Sequence, residues 1–476
     1  MTSQVQQPLQ APQIVSWCHP IGTRDGTLSK DAKVINAFME QTENGMALVK
    51  RPGTVPILTV FGAAQGCFNC SGYAYYIIGD TIHHISGGFS LTIPSVTTNG
   101  QQYYCVSDVP TGISFIKSAS GLWKFTGDPA VVGGTLTKVT DANYPATTVP
   151  GIVYLDGILY VMNPIGTVQG SAIDDGMTWP ALNFIQADFV LGAGAGIARH
   201  LNFLVAYYTK GTQFYYDANA ANGQVTQGTQ LGPVGNANWT TGLANGDSIV
   251  EITDVQYFLA TGHTRGVIAA TFNGLELSVI STPYVEKILA RSTMASVHAF
   301  GIRTAGHSFY VVTLVDLNVT LCYDIAANQW YLWSSLVGGT EQYFVGGNYL
   351  NGQGRDLIQD MTTGAVLQMD PLTYQDVSGL IPVTAITPLY DYGTINWKRV
   401  AAIFFLGDII NTNITVSISD DDYQTWKNWK TIALSTVRKM LQRGGRFRRR
   451  AFQMKHMDNT PLRLVDARAD LTIMDS

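Results

Sequence analysis

Along almost the whole chain, apolar and polar residues alternate or apolar residues come in short bounded runs. Period two and short runs mark β-strands, and the 3.6-residue period of an amphipathic helix is scarce. Asp31–Gln41 suggests one short helix, whereas the branched residues of Asn411–Ile418 alternate as in a strand. The middle of the chain repeats one unit: an aromatic-rich strand, a tight Gly or Asn turn, and a second strand. Tyr73–Ile78 turns at Gly79-Asp80 into Thr81–Ile85, and Ile113–Lys117 passes Ser118–Gly121 into Leu122–Phe125. Ile152–Leu155 turns at Asp156-Gly157 into Ile158–Met162, and Leu201–Tyr208 turns near Lys210-Gly211 into Thr212–Tyr216. Gly266–Phe272 turns at Asn273-Gly274 into Leu275–Ile280, and Phe309–Leu314 turns near Asn318 into Thr320–Tyr323. Asp-Gly and Asn-Gly supply the positive φ angles of type I′ turns, whose twist matches that of the flanking strands.

These hairpins recur every ~35–55 residues, close to the ~40–50 residues of a propeller blade. Six or seven such units span residues 55 to 375. The pattern predicts an all-β chain built on a β-propeller, with six blades favoured and seven as the alternative. A string of β-sandwich modules is the rival, but no Pro- or Ser-rich linker divides the middle of the chain. The pattern changes near residues 376–390, where Asp376-Val377-Ser378-Gly379 precedes Pro382 and Pro388. Beyond it Trp397–Phe405, Thr412–Ser419 and Leu462–Val465 read as strands of a smaller C-terminal all-β domain. The expected division is an N-terminal arm and connecting segment over 1–50, a propeller over 51–380, and a C-terminal β domain with a basic strand over 381–476.

Composition narrows the class. Charged residues make up only 13% of 476 and Gly fills 48 positions, which excludes a coiled coil and charge-driven disorder. No stretch approaches the roughly 18–20 apolar residues of a membrane span; Val400–Ile410 is short and contains Asp408. The first thirteen residues lack a basic and an apolar region, so no secretory signal is expected. Five scattered cysteines, Cys18, Cys67, Cys70, Cys105 and Cys322, argue against a disulfide framework and fit assembly in a reducing cytoplasm.

The net charge of −5 hides an uneven distribution. Between Val437 and Met457 stand eight basic residues and no acidic one: Arg438, Lys439, Arg443, Arg446, Arg448, Arg449, Arg450 and Lys455. The remainder then carries 21 basic against 34 acidic residues, a net of −13. One localised anionic partner or one interface follows. The run Arg446–Lys455 reads either as a twisted strand pairing with the acidic body or a neighbouring subunit, or as a set of phosphate contacts that hold DNA without reading sequence. The interface reading is favoured, because Phe447 and Phe452 are too few to stack single-stranded bases.

Two segments match the hairpin motif Ser-x-Asp-x-Gly-x-Thr-Trp. One is 172–179, carrying Asp174, Gly176 and Trp179 with Ala172 in the Ser position; the other is 419–426, carrying Ser419, Asp421 and Trp426 with Tyr423 in the Gly position. Such Asp boxes occur in sialidases and other propellers, and they serve the turn: the carboxylate accepts backbone N–H groups and the Trp packs over the bend. A sialidase-type site would need clustered arginines and a Tyr/Glu pair, and neither stands out. Cys67-Phe68-Asn69-Cys70 has the spacing of half a zinc site, but no second pair accompanies it, so neither metal nor cofactor is expected. No HExxH, nucleophile elbow or Walker loop occurs. Gly192–Gly196 lacks the helix and distant acid of a nucleotide fold and reads as a flexible loop.

Several stretches, in order, resemble one family. Asn36–Glu40, Asn44-Gly45 and Lys50-Arg51-Pro52-Gly53 resemble the opening signature of tail hub or nozzle proteins of short-tailed phages, the "packaged DNA stabilisation" family. Ile280–Pro283, Gly306–Tyr310, Tyr323-Asp324 and Trp330–Ser335 resemble its later blades, and Ser419–Trp426 with the Arg-rich strand resembles its C-terminal end. The resemblance implies a non-enzymatic virion protein assembled in the host cytoplasm, forming a homohexameric ring below the portal and adaptor. Such a ring conducts double-stranded genomic DNA without sequence specificity, retains it before infection, and docks tail fibres or tailspikes. Sparse charge suits a wall along which DNA must slide. A loop such as Gly192–Gly196 or Asp217–Gly223 could narrow the channel. The alternatives are a propeller-fold carbohydrate-active enzyme or glycan-binding tail protein, or a monomeric binding platform.

Overall fold

The computed structural model describes every residue except 1–12, 20, 22–30, 44, 97–99, 110–111, 188–191, 219–230, 263–265 and 475–476. Among the described residues, short antiparallel sheets follow one another along the chain. Blade one runs from Ala64–Cys70 to Ser90–Thr92, blade two from Tyr104–Val106 to Gly134–Lys138, and blade three from Val153–Leu155 to Phe184–Ile185. Blade four runs from Gly194–His200 to Leu231–Trp239, blade five from Gly242–Leu243 to Glu276–Val279, and blade six from Val297–Thr304 to Gln329–Val337. Blade seven has Gly346–Gly352, Arg355–Asp360 and Val366–Asp370, and its outer strand is Gly53–Leu58 from the start of the chain. The first strand of blade seven packs against that of blade one, which closes the circle of blades.

All six hairpins expected from sequence are present; Ile78 pairs with Thr81 across Gly79-Asp80, and Asn273 with Glu276. The blade count is seven, the larger of the two numbers the spacing allowed. The added hairpin turns at Gln353-Gly354, both at positive φ (53° and 73°), without the Asn or Asp that marks a type I′ turn. Its fourth strand comes from about 300 residues away, beyond any local pattern.

Residues 383–473 form two further sheets with the N-terminal segment. One orders Ala37–Thr42, Gly45–Lys50, Arg463–Ile473, Lys398–Gly407 and Met440–Phe447, with Gln13–Val15 also on Arg463–Ile473. The other extends the outer strand of blade six: Lys33–Ile35 pairs parallel to Gln329–Val337, and Val383–Ile386, Ala451–His456, Asn413–Ser419 and Lys427–Ala433 follow. One apolar cluster therefore spans Phe309 and Trp333 of blade six and Val383, Phe405 and Phe452 of the C-terminal sheets. Trp17, fully buried, stacks on Phe405 at 5.8 Å.

Two local expectations are corrected. Asp31–Gln41 is not a helix: Lys33–Ile35 and Ala37–Thr42 are strands separated by Asn36 at φ 58°, and pairing to two different sheets overrides a weak helical pattern. Among the described residues the α-helix is Pro283–Leu289, capped by the Thr282 side chain and opened by Pro283. Gly192–Gly196 is not simply a loop, because Gly194–His200 is the inner strand of blade four. A Cβ on Gly194 would meet the Asn163 carbonyl at 2.5 Å, so the glycines there answer close packing. Of the other channel-narrowing tract, 219–223 lies outside the described residues.

Candidate interaction surface and axial cavity

The basic segment is divided between two strands, Met440–Phe447 and Ala451–His456, that belong to different sheets. The expectation of one twisted strand fails because the chain turns sharply at Arg448-Arg449. The eight cations thereby take different tasks. Arg450 is buried, donates to both carboxylate oxygens of Asp420 at 2.6 and 2.8 Å and to the Gly444 carbonyl, and lies 4.3 Å over Phe447. Lys439 is also buried, its Nζ 2.9 Å from the Gly407 carbonyl. Arg449 pairs with Asp422 near the surface. Arg438 lies over Phe404 at 5.7 Å and Arg448 over Trp397 at 5.1 Å. Arg443, at φ 64° in a strand irregularity, Arg446 and Lys455 are exposed.

Sequence reasoning missed Arg399, the direct cross-strand partner of Arg446. The two are 47 positions apart in sequence, and only the pairing of Lys398–Gly407 with Met440–Phe447 brings them together. It also missed Trp397 and Ile395, whose exposure no local pattern signals.

The two Asp boxes have different anatomies. In 172–179 the turn acceptor is Asp175, which takes the Met177 N–H at 2.9 Å, while Asp174 sits exposed at φ 54°. Trp179 is fully buried, its indole N–H on the Gly176 carbonyl at 3.2 Å and its backbone N–H on Asp141 at 2.9 Å. Gly176 leaves room that a Cβ would take from Leu159 and Phe115. In 419–426 Asp421 accepts from Ser419 Oγ at 2.8 Å, from the Thr425 N–H at 3.0 Å and from the Thr425 hydroxyl. Those bonds, the Thr425 hydroxyl first, pull the Asp421 carboxyl down to about 2. Trp426 is only half-buried.

Cys67 and Cys70 lie an odd number of positions apart on one strand and so face opposite sides. The Cys67 thiol contacts the Tyr349 carbonyl at 3.3 Å, and burial pushes it up to about 12. Among the described residues no group of three His, Cys, Asp or Glu side chains could hold a metal ion.

The inner strands surround an axial cavity of about 440 Å³, lined among others by Cys67, Tyr104, Ile152, Ala198, Val250 and His298. Within it the Tyr104 hydroxyl donates to Asp247. Nearby, Lys117 lies 4.9 Å over the Tyr104 ring and donates to the Val149 carbonyl at 2.5 Å. Burial raises the Asp247 carboxyl and lowers His298, each partly opposed by the other's charge. Burial also brings the Lys117 ammonium down to about 7, with Asp247 opposing. Tyr104 of blade two meets Asp247 of blade five, and the Gln102 amide donates to Asn348 of blade seven at 3.0 Å, so side chains of different blades bridge the axis and leave no passage for a duplex.

Comparison with known families places this propeller in a phage structural class. The matching family model, described as Bacteriophage P22 Gp10, beta-propeller, covers residues 34–374, and the chain belongs to that phage stabilisation family. The family is a phage β-propeller that stabilises packaged DNA, in keeping with a structural place in the virion tail. No curated protein matches the sequence significantly. Among solved structures, BamB from Moraxella catarrhalis is similar over 75% of this chain and 98% of its own, at 12% identity and TM-score 0.36. YCF48 from Cyanidioschyzon merolae is similar over 67% and 99%, at 10% identity and TM-score 0.39. The computationally designed Ika8 protein is similar over 74% and 99%, at 9% identity and TM-score 0.36. No helix among the described residues is long and apolar enough to cross a membrane.

Proposed function

We propose that this chain is the non-enzymatic nozzle or hub protein of a short phage tail. Six copies form a ring below the portal and adaptor, conduct and retain double-stranded DNA without reading its sequence, and dock tail fibres or tailspikes. The division into an N-terminal connecting segment, a propeller over 51–380 and a C-terminal β domain over 381–476 belongs to this reading, as do assembly in the host cytoplasm and a virion location.

The observation that carries it is the axial cavity. Side chains of different blades bridge it, Tyr104 on Asp247 and Gln102 on Asn348, and leave no passage for a duplex. A phage β-propeller that handles packaged DNA must therefore make its lumen between copies. Sparse charge supports the same reading: few counterion-releasing contacts leave DNA free to move. Of the eight basic residues, Arg443, Arg446, Arg448 and Lys455 face outward and support it as interface or phosphate contacts, whereas the buried Arg450 and Lys439 hold their own fold.

The test is the mass of the purified chain, alone and with a portal–adaptor complex, by light scattering and negative-stain imaging. Sixfold rings, free or formed on the adaptor, support the reading. A chain that stays monomeric and ignores the adaptor overturns it, and glycan-release assays would then examine the carbohydrate-active alternative.

A further inference from the structure

Charge divides sharply along the chain. Residues 51–380 carry 11 basic and 21 acidic side chains, a net of −10, whereas residues 381–476 carry 14 and 9, a net of +5. Part of the positive excess lies on the exposed side of one strand pair, Lys398–Gly407 with Met440–Phe447. Arg399 and Arg446 stand directly opposite each other on adjacent strands, and both are exposed. Like charges so placed destabilise a sheet unless an anion covers them. Among the described residues no carboxylate lies in ion-pair range of Arg399, Arg446 or Arg448.

Apolar surface adjoins these arginines. Arg448 stacks on Trp397, whose carbonyl accepts the Met474 N–H at 2.8 Å, and Ile473 pairs with the next residue, Lys398. Trp397 is 43% exposed and Ile395, two positions earlier, 87%. Exposed Trp and Arg beside unshielded apolar side chains are the composition of an interface hot spot.

Blade three carries the complement. Asp156 and Asp174 are exposed on adjoining turns, tied by the Asp174 N–H on the Gly157 carbonyl at 2.8 Å, and no described cation pairs with either. On the same blade Leu182 is 63% exposed and Phe184, on its outer strand, 45%. The C-terminal sheets attach at blades six and seven, and blade three is at least three blades from each, on the far side of the circle. A cationic surface on one side and an anionic surface on the other fit a head-to-tail contact, which closes into a ring when the rotation allows.

We propose that the Trp397, Arg446 and Arg448 patch of one copy docks on the Asp156 and Asp174 surface of blade three of a second copy. This inference rests on the ring reading above and supplies its contact. Steering by −10 against +5 brings the surfaces together, and the burial of Trp397 and Ile395 against Leu182 and Phe184 holds them.

Sedimentation velocity over a concentration series tests it with three full-length chains: wild type, Arg446→Glu/Arg448→Glu, and Asp156→Lys/Asp174→Lys. Each charge-reversed variant alone should self-associate at least about a hundredfold more weakly than wild type. An equimolar mixture should regain rings, because each variant then offers the other opposite charge at both contacts; recovery also shows that both variants are folded. A mixture that stays monomeric, or variants that form rings unaided, overturns the contact while wild-type rings keep the ring reading. A wild type monomeric at every concentration, both alone and with a portal–adaptor complex, overturns both. Random-sequence duplex is the second probe: if Arg446→Glu/Arg448→Glu leaves rings intact and abolishes salt-sensitive duplex binding, the patch contacts phosphate and the proposal falls.

Discussion

The guanidinium of Arg51 donates to both carboxylate oxygens of Asp376, at 2.9 and 2.5 Å, and the pair is sealed from solvent. Its other bonds go to Asn36 Oδ1 at 3.0 Å, the Pro52 carbonyl at 3.1 Å and the Ser334 carbonyl at 2.8 Å. Asn36 is buried at positive φ; it gives its amide N–H groups to Ser334 Oγ and the Pro382 carbonyl and takes the Ser334 N–H. Phe344 and Trp333 cover the guanidinium at 4.8 and 5.8 Å. One saturated polar node thus joins the strand that closes blade seven, the outer strand of blade six and the chain leaving blade seven. The opening motif Lys50-Arg51-Pro52-Gly53 acquires a physical reason, since Gly53 also has no room for a Cβ against the Gln375 carbonyl.

Removing one partner of this node strands a buried charge, which costs about 3–5 kcal/mol. Arg51→Ala and Asp376→Ala should each lower the unfolding free energy, measured in urea, by that amount. Arg51→Lys should recover little, because an ammonium has three donors and no planar fork. Equal midpoints for Arg51→Lys and wild type would show that charge alone, without the fork, holds the closure.

The two Asp boxes should respond unequally. Trp179 is wholly enclosed and Trp179→Ala should cost about 3–5 kcal/mol in urea unfolding, in line with large core truncations. Trp426 is half-buried, and Trp426→Ala should cost about 1 kcal/mol or less. Similar losses at the two sites would contradict the difference in packing.

Legibility followed the range of the forces involved. A hairpin closed by Asp-Gly carries its conformation in two adjacent residues, so Asp156-Gly157 was readable, whereas the turn expected at Asn273-Gly274 lies one position on, at Gly274-Leu275, with Asn273 paired to Glu276. The Gln353-Gly354 turn carries half that signal, and the strand completing its blade is held by pairing between Gly53 and Asp370 at the two ends of the circle. The basic run was readable as charge but not as geometry. Whether Arg450 is buried on Asp420 while Arg448 lies on Trp397 depends on which sheet each neighbouring strand joins. Arg399 opposite Arg446 is likewise a matter of register, which no window of sequence contains.

Cys67 should be slow to react in the folded chain. With its thiol held up at about 12 by burial, almost no thiolate forms at pH 8. Alkylation with iodoacetamide followed by peptide mass spectrometry should label Cys67 only after urea is added, and added zinc should not change that labelling. Rapid labelling in native buffer would mean that solvent in the axial cavity, which the half-buried Cys67 lines, reaches the thiol in the folded chain.

Lys117 should make stability rise with pH. Its folded value is about 7, against about 10.5 for a lysine in water, so between those limits the unfolded chain binds a proton that the folded chain does not. Stability therefore climbs as pH rises from 7 toward 10, by as much as ~1.4 kcal/mol per pH unit from this group. Below pH 7 both states are protonated and the gain is gone. Lys50, brought down to about 8 chiefly by burial, adds in the same direction, so a comparison is needed to isolate Lys117. Unfolding free energies from urea curves of wild type and Lys117→Met at pH 7 and pH 9 should show the wild type gaining about 2 kcal/mol more than the variant between the two. Parallel curves would place the Lys117 ammonium in contact with water, and with it the Tyr104 and Asp247 end of the axial cavity.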